Sequence, residues 1–189
     1  LNELTNREGL DWQIMHNVSR GPLGLYRSAF PDGMKPTVVI NCWPLPGKVA
    51  GVAGDYEKGL HAITPSPRSV PGRLVDPKIK NRSRIYYQVA NMQVQKIDPQ
   101  AWPLLMDEDG YITEGTGANF FVIKRGELLT PEPRNILRGV TRQAVLELAQ
   151  RLGVPTRECN LDPYDVATAD EAFFTATSFA ILPATRYNS

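Results

Sequence analysis

Four stretches of this sequence carry side chains able to do chemistry. Lys80 stands between an extended PKI run and a helix-like segment. A lysine amine forms a Schiff base with an aldehyde when its surroundings lower its pKa. Glu114 opens the run Glu114-Gly115-Thr116-Gly117-Ala118-Asn119, set between two strand-like stretches. A carboxylate and two glycines are poor strand material, and the glycines let another group approach the backbone. Gly139-Val140-Thr141 opens the clearest helix of the chain with no acid in its first turn. Unpaired N–H groups and the helix dipole suit an anion there, phosphate above all. Thr175-Ala176-Thr177-Ser178 gathers three hydroxyls that suit a phosphate or a carboxylate.

Each feature also has an ordinary reading. Most lysines are solvated surface charges. The Glu114 run reads equally as a β-bulge with an exposed acid. Thr141 and its loop can satisfy the helix start, and the hydroxyls at 175–178 can bond their local backbone. Taken singly, none outweighs that reading. His16 and His61 have no spaced partners, so a metal site or a catalytic triad finds no support. A P-loop or a GxGxxG run after a strand is likewise missing.

The bulk properties are those of an ordinary globular protein. In 189 residues, 42% are hydrophobic and 22% charged. A net charge of +1 advertises no basic face for nucleic acid. No apolar run approaches the roughly 18 residues of a membrane helix, and no signal peptide is present. Cys42 and Cys159 are far apart and read as thiols of a reducing compartment, the cytoplasm or an organelle. The opening LNELTNREGL reads as the last turns of an amphipathic helix, and the chain stops just after an apolar strand-like run. Both ends read as cuts, so a fragment is expected.

The elements that must position the four stretches follow from pattern. WQIMHNVSRG, PTVVIN and GLHAITPSP read as strands, the first two joined by the loop GPLGLYRSAFPDGMK. PSPRSVPG, residues 65–72, has linker chemistry and places a domain boundary there. Ile85, Val89 and Met92 recur at i, i+4, i+7, which predicts a helix over 82–96 with an apolar stripe. Strands follow at WPLLMD, YITEG, NFFVIK and ELLTP, with turns at DEDG and RG. In the helix ILRGVTRQAVLELAQRLGV, Val145, Leu148, Ala149 and Leu152 make one face, and Gly153 sits at the C′ position. VATADEAFFTATSFAILPAT reads as strands broken at 175–178.

In combination the motifs say more. KIKNRSR…QVAN, DEDGYITEGTGANFFVIKRGELLTP, ILRGVTRQAVLELAQRLG and ADEAFFTATSFAILP resemble the class IV aminotransferases. These fold-type IV pyridoxal-phosphate (PLP) enzymes include branched-chain and D-amino acid aminotransferases and aminodeoxychorismate lyases. The resemblance implies an α+β protein of the two-domain, D-amino acid aminotransferase-like fold. Residues 1–68 would be the remnant of the smaller domain and 69–189 most of the larger, PLP-binding one, without the N-terminal segment and the C-terminal end. Lys80 matches the lysine that holds the cofactor aldehyde and shuttles the substrate proton. Glu114 matches the acid that keeps the pyridine nitrogen protonated, so that the ring accepts electrons. Gly139, Val140, Thr141, Thr177 and Ser178 match phosphate-binding positions, with Ser178 and the adjoining Phe179 toward substrate.

Some parts depart from the family. Its phosphate arginine and a cofactor-facing tyrosine come from a segment outside this sequence. The substrate-gripping Arg-x-His of the D-amino acid enzymes finds Arg27 within one residue of its arginine, but Ser28 and Ala29 where the histidine belongs. Arg20 is a further basic candidate. The implied reaction is transamination of an amino acid, branched-chain and L in the first instance, with a 2-oxo acid such as 2-oxoglutarate. D-amino acid transamination, lyase action and an inert fragment of the fold are the alternatives. The implied partners are these small molecules and a second copy of the chain, without metal, nucleic acid or membrane.

Overall fold

The computed structural model describes residue 3 and residues 9–188. The expected helix end in LNELTNREGL lies largely outside the described residues. Two compact units divide between Gly51 and Val52.

The first unit is built on a long antiparallel ribbon. Strand β1 (Trp12–Ser19) pairs with β2 (Thr37–Pro44) in unbroken register, from Trp12 opposite Pro44 to Ser19 opposite Thr37. Their alternation and β-branched content suit this pairing. The connecting loop carries a 3-10 turn over Gly24–Ala29, and a short helix α1 (Leu45–Gly51) follows the ribbon.

The second unit is a mixed eight-stranded sheet with helices against it. In chain order come α2 (Asp55–Lys58), β3 (Leu60–Ile63), α3 (Ile85–Gln95), β4 (Trp102–Met106), β5 (Ile112–Gly115), β6 (Asn119–Lys124), β7 (Glu127–Pro131), α4 (Val140–Arg151), β8 (Thr156–Cys159), α5 (Pro163–Ala167), β9 (Glu171–Ala176) and β10 (Ala180–Tyr187). The strand order is β5-β4-β3-β10-β9-β6-β7-β8. The pairs β3–β10, β3–β4 and β7–β8 are parallel and the rest antiparallel.

That order has a geometric consequence. β5 and β6 stand five places apart, roughly 24 Å in a flat sheet. Yet only Thr116, Gly117 and Ala118 link them, a span of at most about 14 Å. The sheet must curl back on itself, and Gly115 N–H donates to the Ala118 carbonyl at 2.8 Å where the two strands meet.

The curl makes one central core and lets α3 and α4 cover other faces. Phe120, Phe174, Leu104, Leu182 and Val122, each fully buried, fill the centre. The next residue along β6, Phe121, points the other way and packs with Leu128, Val145 and Ala149 under α4. Both faces of β6 are therefore buried, which explains its nearly unbroken apolar run. Tyr87 and Ala90 of α3 pack on Leu105, and Val94 packs on Ile63 and Ala101. His61 ties β3 to two other segments: its ring nitrogens meet Asp98 Oδ2 at 2.8 Å and the Asn188 carbonyl at 2.5 Å.

Most expected strands and both long helices appear at their expected positions, and Gly153 follows α4 with a φ of 70°, as a C′ glycine does. The differences are instructive. The boundary expected at 68/69 falls instead between 51 and 52, because β3 belongs to the large sheet. The proline-rich run 65–72 lies along that sheet: Ser69 N–H donates to the Met106 carbonyl at 2.9 Å, and its hydroxyl meets Thr113 Oγ1 at 2.6 Å. The stripe Ile85, Val89 and Met92 is exposed, while Tyr87, Ala90 and Val94 face inward. On α4, Val145 and Ala149 are buried but Leu148 and Leu152 are exposed, and Arg142 shares the buried face. Helix α5 carries a capping box from Asp162 and Asp165 with Pro163 at its start, a pattern readable in the sequence.

The central packing sets the stability of the second unit. Phe120→Ala removes a fully buried ring whose centroid lies 5.0 Å from that of Phe174. The expected loss is about 3–5 kcal/mol, read as a lower urea midpoint. A loss below about 1 kcal/mol would mean that this centre is not well packed.

Candidate active site

Lys80, Glu114, Gly139, Val140, Thr141 and Thr177 line one cleft of about 260 Å³ within the second unit. The sequence reading thus drew six positions from four separate segments, and the fold gathers them. Lys80 sits in the turn leading to α3, Glu114 near the end of β5, the glycine and its two successors at the start of α4, and Thr177 just past β9.

Glu114 is only 7% exposed. Three donors from three segments hold its carboxylate. Tyr87 of α3 donates its hydroxyl to Oε1 at 2.8 Å, and the Leu137 N–H donates to Oε2 at 3.0 Å. Asn119 of β6 donates its amide to Oε2 at 3.2 Å and to the Leu137 carbonyl at 2.8 Å. Burial pushes the Glu114 pKa up to about 7 against the pull of these hydrogen bonds and of the Arg84 and Lys80 charges. A carboxylate offers about four acceptor positions, and the protein fills three. One remains for a donor in the cleft.

Lys80 lies at the cleft mouth. The residue is open to solvent, but protein partly encloses its ammonium. Its pKa is lowered, first by that desolvation, then by the Arg84 guanidinium, with Glu114 pulling the other way. An amine so placed is a better nucleophile at neutral pH than a free surface lysine.

The start of α4 is uncapped and suits an anion. Gly139 at the N-cap makes no side-chain cap, and the first turn holds no acid. Arg142 fixes this end of the helix: its guanidinium donates to the Pro131 carbonyl at 3.0 Å and pairs with Glu158 at 2.6 Å. Gly139 is required sterically, since a Cβ there would overlap Asn119 Oδ1. Thr175 Oγ1 lines the same cleft, is buried, and has no hydrogen-bond partner among the described residues. A buried hydroxyl without a partner is costly unless a ligand completes it.

Other expected positions lie elsewhere. Ser178 is half-buried and Phe179 buried, and neither is among the residues lining the cleft. The Phe179 ring packs edge-on to Trp102 at 5.5 Å, and its carbonyl accepts from Tyr56 at 2.6 Å. The Phe179 side chain is thus turned into the core rather than toward a substrate. Arg27 is exposed on the 3-10 turn of the first unit.

Sequence reasoning assigned no role to Arg84, Tyr87, Asn119 or Arg138, all of which line the cleft, while Thr175 belonged to the hydroxyl run already singled out. The spacing Lys80, Arg84, Tyr87 carried a signal, because steps of four and three fall on one side of a helical path. Asn119 stood inside a motif already singled out, but its part emerges only from the curl that brings it beside Glu114 and Leu137.

The molecule resembles known proteins over nearly its whole length. The family model described as amino-transferase class IV matches residues 1–187. A relative from Methanocaldococcus jannaschii is 35% identical over 150 residues, covering 79% of this chain and 50% of its own. The branched-chain-amino-acid aminotransferase of Escherichia coli K12 is 30% identical over 155 residues, covering 81% and 49%. Among solved structures, the branched-chain aminotransferase of Thermoproteus uzoniensis with norvaline superposes with a TM-score of 0.80 at 26% identity, over 98% of this chain and 61% of that one. The branched-chain amino acid aminotransferase from Thermobaculum terrenum, in its PLP-form, gives 0.75 at 25%, over 93% and 56%. The chain spans about half the length of the curated relatives it matches. The family model spans nearly the whole chain, and the fold matches solved branched-chain aminotransferases: the chain belongs to the class IV aminotransferase family.

Proposed function

We propose that this chain is part of a PLP-dependent aminotransferase acting on branched-chain L-amino acids, with 2-oxoglutarate as amino acceptor. The observation that carries the reading is one cleft with an amine, a buried acid and an uncapped helix start. These are three groups suited to an aldehyde, a pyridine nitrogen and a phosphate. The names of the relatives in E. coli and T. uzoniensis support the substrate class.

The donor set fits the cofactor. Glu114 has one acceptor position left for a ring N–H, and Thr175 a buried hydroxyl lacking a partner. When bound, PLP supplies an electron sink that loosens the hydrogen on the substrate's α-carbon. The rest falls to the protein's own residues. Lys80 would hold the cofactor's aldehyde carbon and yield it to the substrate amine. Its amine, whose pKa is lowered by desolvation and by Arg84, would be the group to accept the proton from the substrate's α-carbon and to return it. Glu114 would keep a proton on the ring nitrogen, its carboxylate oriented by Tyr87, Asn119 and the Leu137 N–H. Gly139, Val140 and Thr141 offer backbone N–H groups, and Thr177 a hydroxyl, to the phosphate. The exposed apolar stripe Ile85, Val89 and Met92 on α3 suits burial against a second copy, and we place the homodimer contact there.

The full-length protein, given L-leucine or D-alanine with 2-oxoglutarate, is expected to form keto acid from L-leucine. Turnover of D-alanine alone would replace this substrate class. An absence of PLP uptake would identify the chain as an inert member of the fold.

Glu114→Gln is expected to retain PLP and slow turnover by about 10²-fold. Unchanged turnover would remove Glu114 from the ring nitrogen. The same residue makes the apoprotein sensitive to pH. Its folded pKa lies above the unfolded value, so the folded state binds the extra proton between about pH 4.5 and 7. Stability falls as pH rises through that window, by up to roughly 3 kcal/mol. Apoprotein Tm should therefore drop more between pH 5 and 8 in the native protein than in Glu114→Gln. Parallel profiles would show that Glu114 titrates normally.

A further inference from the structure

The two oxygens of Glu114 face different parts of the cleft, and this orients whatever ring lies on it. Oε2 is held by Asn119 and by the Leu137 N–H. Two residues beyond Leu137 the chain reaches Gly139 and the anion-binding start of α4. Oε1 is held by Tyr87, and beyond Tyr87 stands Arg84. One side of the carboxylate thus leads to the phosphate turn and the other to Arg84.

Pyridoxal phosphate has a matching asymmetry. Its aldehyde carbon lies across the ring from the nitrogen. The phosphate arm sits on one edge between them, and the phenolic oxygen sits on the other. With nitrogen at Glu114, aldehyde at Lys80 and phosphate at α4, the phenolic edge turns toward α3. We propose that Arg84 faces this edge and donates from its guanidinium to the phenolate oxygen of the bound cofactor. This rests on the PLP reading of the cleft given above.

The state of Arg84 suits that role. It is half-buried and lines the cleft. Its guanidinium carbon lies 4.9 Å from the Tyr87 ring centroid, a cation–π contact that sets the plane of the fork. Its one direct hydrogen bond to Tyr87, from Nη1 to the hydroxyl, is long at 3.4 Å. Its Nε is buried without a hydrogen-bond partner among the described residues. A buried guanidinium N–H with no acceptor is costly, and an anionic oxygen in the cleft would complete it.

Arg84 also stands where a charge would tune the reacting nitrogen. The titratable and charged groups around this end of the cleft are Lys80, Arg82, Tyr86, Tyr87, Glu114 and Arg138. The Arg84 charge lowers the pKa of Lys80 and of Glu114 alike. Burial, ahead of the neighbouring charges, holds Tyr86 and Tyr87 above their ordinary range, so both stay neutral and Arg84, which contacts Tyr87, is the cation seated beside them. A guanidinium on the phenolate draws that oxygen away from the Lys80 nitrogen and repels a proton on it. The nitrogen therefore gives up its proton at lower pH than it would without Arg84.

The test is a pH titration of the visible absorbance of full-length protein loaded with pyridoxal phosphate, compared with Arg84→Met and Arg84→Lys. The midpoint should rise by about one pH unit in Arg84→Met. It should rise less in Arg84→Lys, which keeps the charge but loses the fork and which carries the test if the methionine variant does not fold. A midpoint unchanged in both PLP-loaded variants overturns the proposal. So does an unchanged midpoint with KM for the oxo acid raised about tenfold and kcat held, which would assign Arg84 to a substrate carboxylate. If the native protein takes up no PLP, the reading of the cleft fails first and this inference with it. If it does take up PLP, the outcome bears on Arg84 alone.

Discussion

The buried carboxylate of Glu114 is the constraint around which the second unit is arranged. Taking an acid out of water costs several kcal/mol unless hydrogen bonds replace the lost hydration. Here the replacements come from α3, from β6 and from the chain entering α4. Tyr87 lies 27 and Leu137 23 residues from Glu114 in sequence, and only Asn119, five residues on, is close in the chain. The acid can exist at this depth only when the sheet has curled and both helices are seated on it. Even then the offset is partial, because Glu114 still titrates near neutrality. An acid in that state has room for one further donor.

The short link between β5 and β6 connects fold to chemistry. Three residues join strands that a flat sheet would hold far apart. The small residues Gly115 and Gly117 belong to that closure. A Cβ at 115 would crowd the Phe174 ring, and Gly117 takes a φ of 154°, which L side chains rarely adopt. The run that looked unsuited to a strand is the seam of the curled sheet, and the seam puts Glu114 and Asn119 side by side.

Much of this was legible in the sequence, for physical reasons that can be traced. The strands were legible as short apolar or alternating runs bounded by turn residues, although β3 to β7 are buried continuously rather than at alternate positions. The uncapped start of α4 was visible because acids and capping side chains have recognisable types. The wall of the cleft formed by α3 was misread because apolar spacing was taken to mark the inner face. Tyr87 goes inward instead, since its hydroxyl has an acceptor in Glu114, and that acceptor lies 27 residues away in the chain. The domain boundary was misplaced for a related reason. Proline-rich composition reports the local backbone, whereas membership of the sheet depends on β3 pairing with β10, more than 120 positions later. Long-range pairing leaves no local trace.

The overlap that a Cβ at position 139 would make with Asn119 Oδ1 ties the two ends of the cleft together. Gly139 stands at the uncapped start of α4, and Asn119 braces the acid at the other end. A side chain introduced at 139 would displace the amide that steadies Glu114, so a change at the helix start would reach the acid as well. Substitutions at these two positions should therefore behave as an epistatic pair. Shortening residue 119 would make room for bulk at 139, and neither site is free to drift without the other.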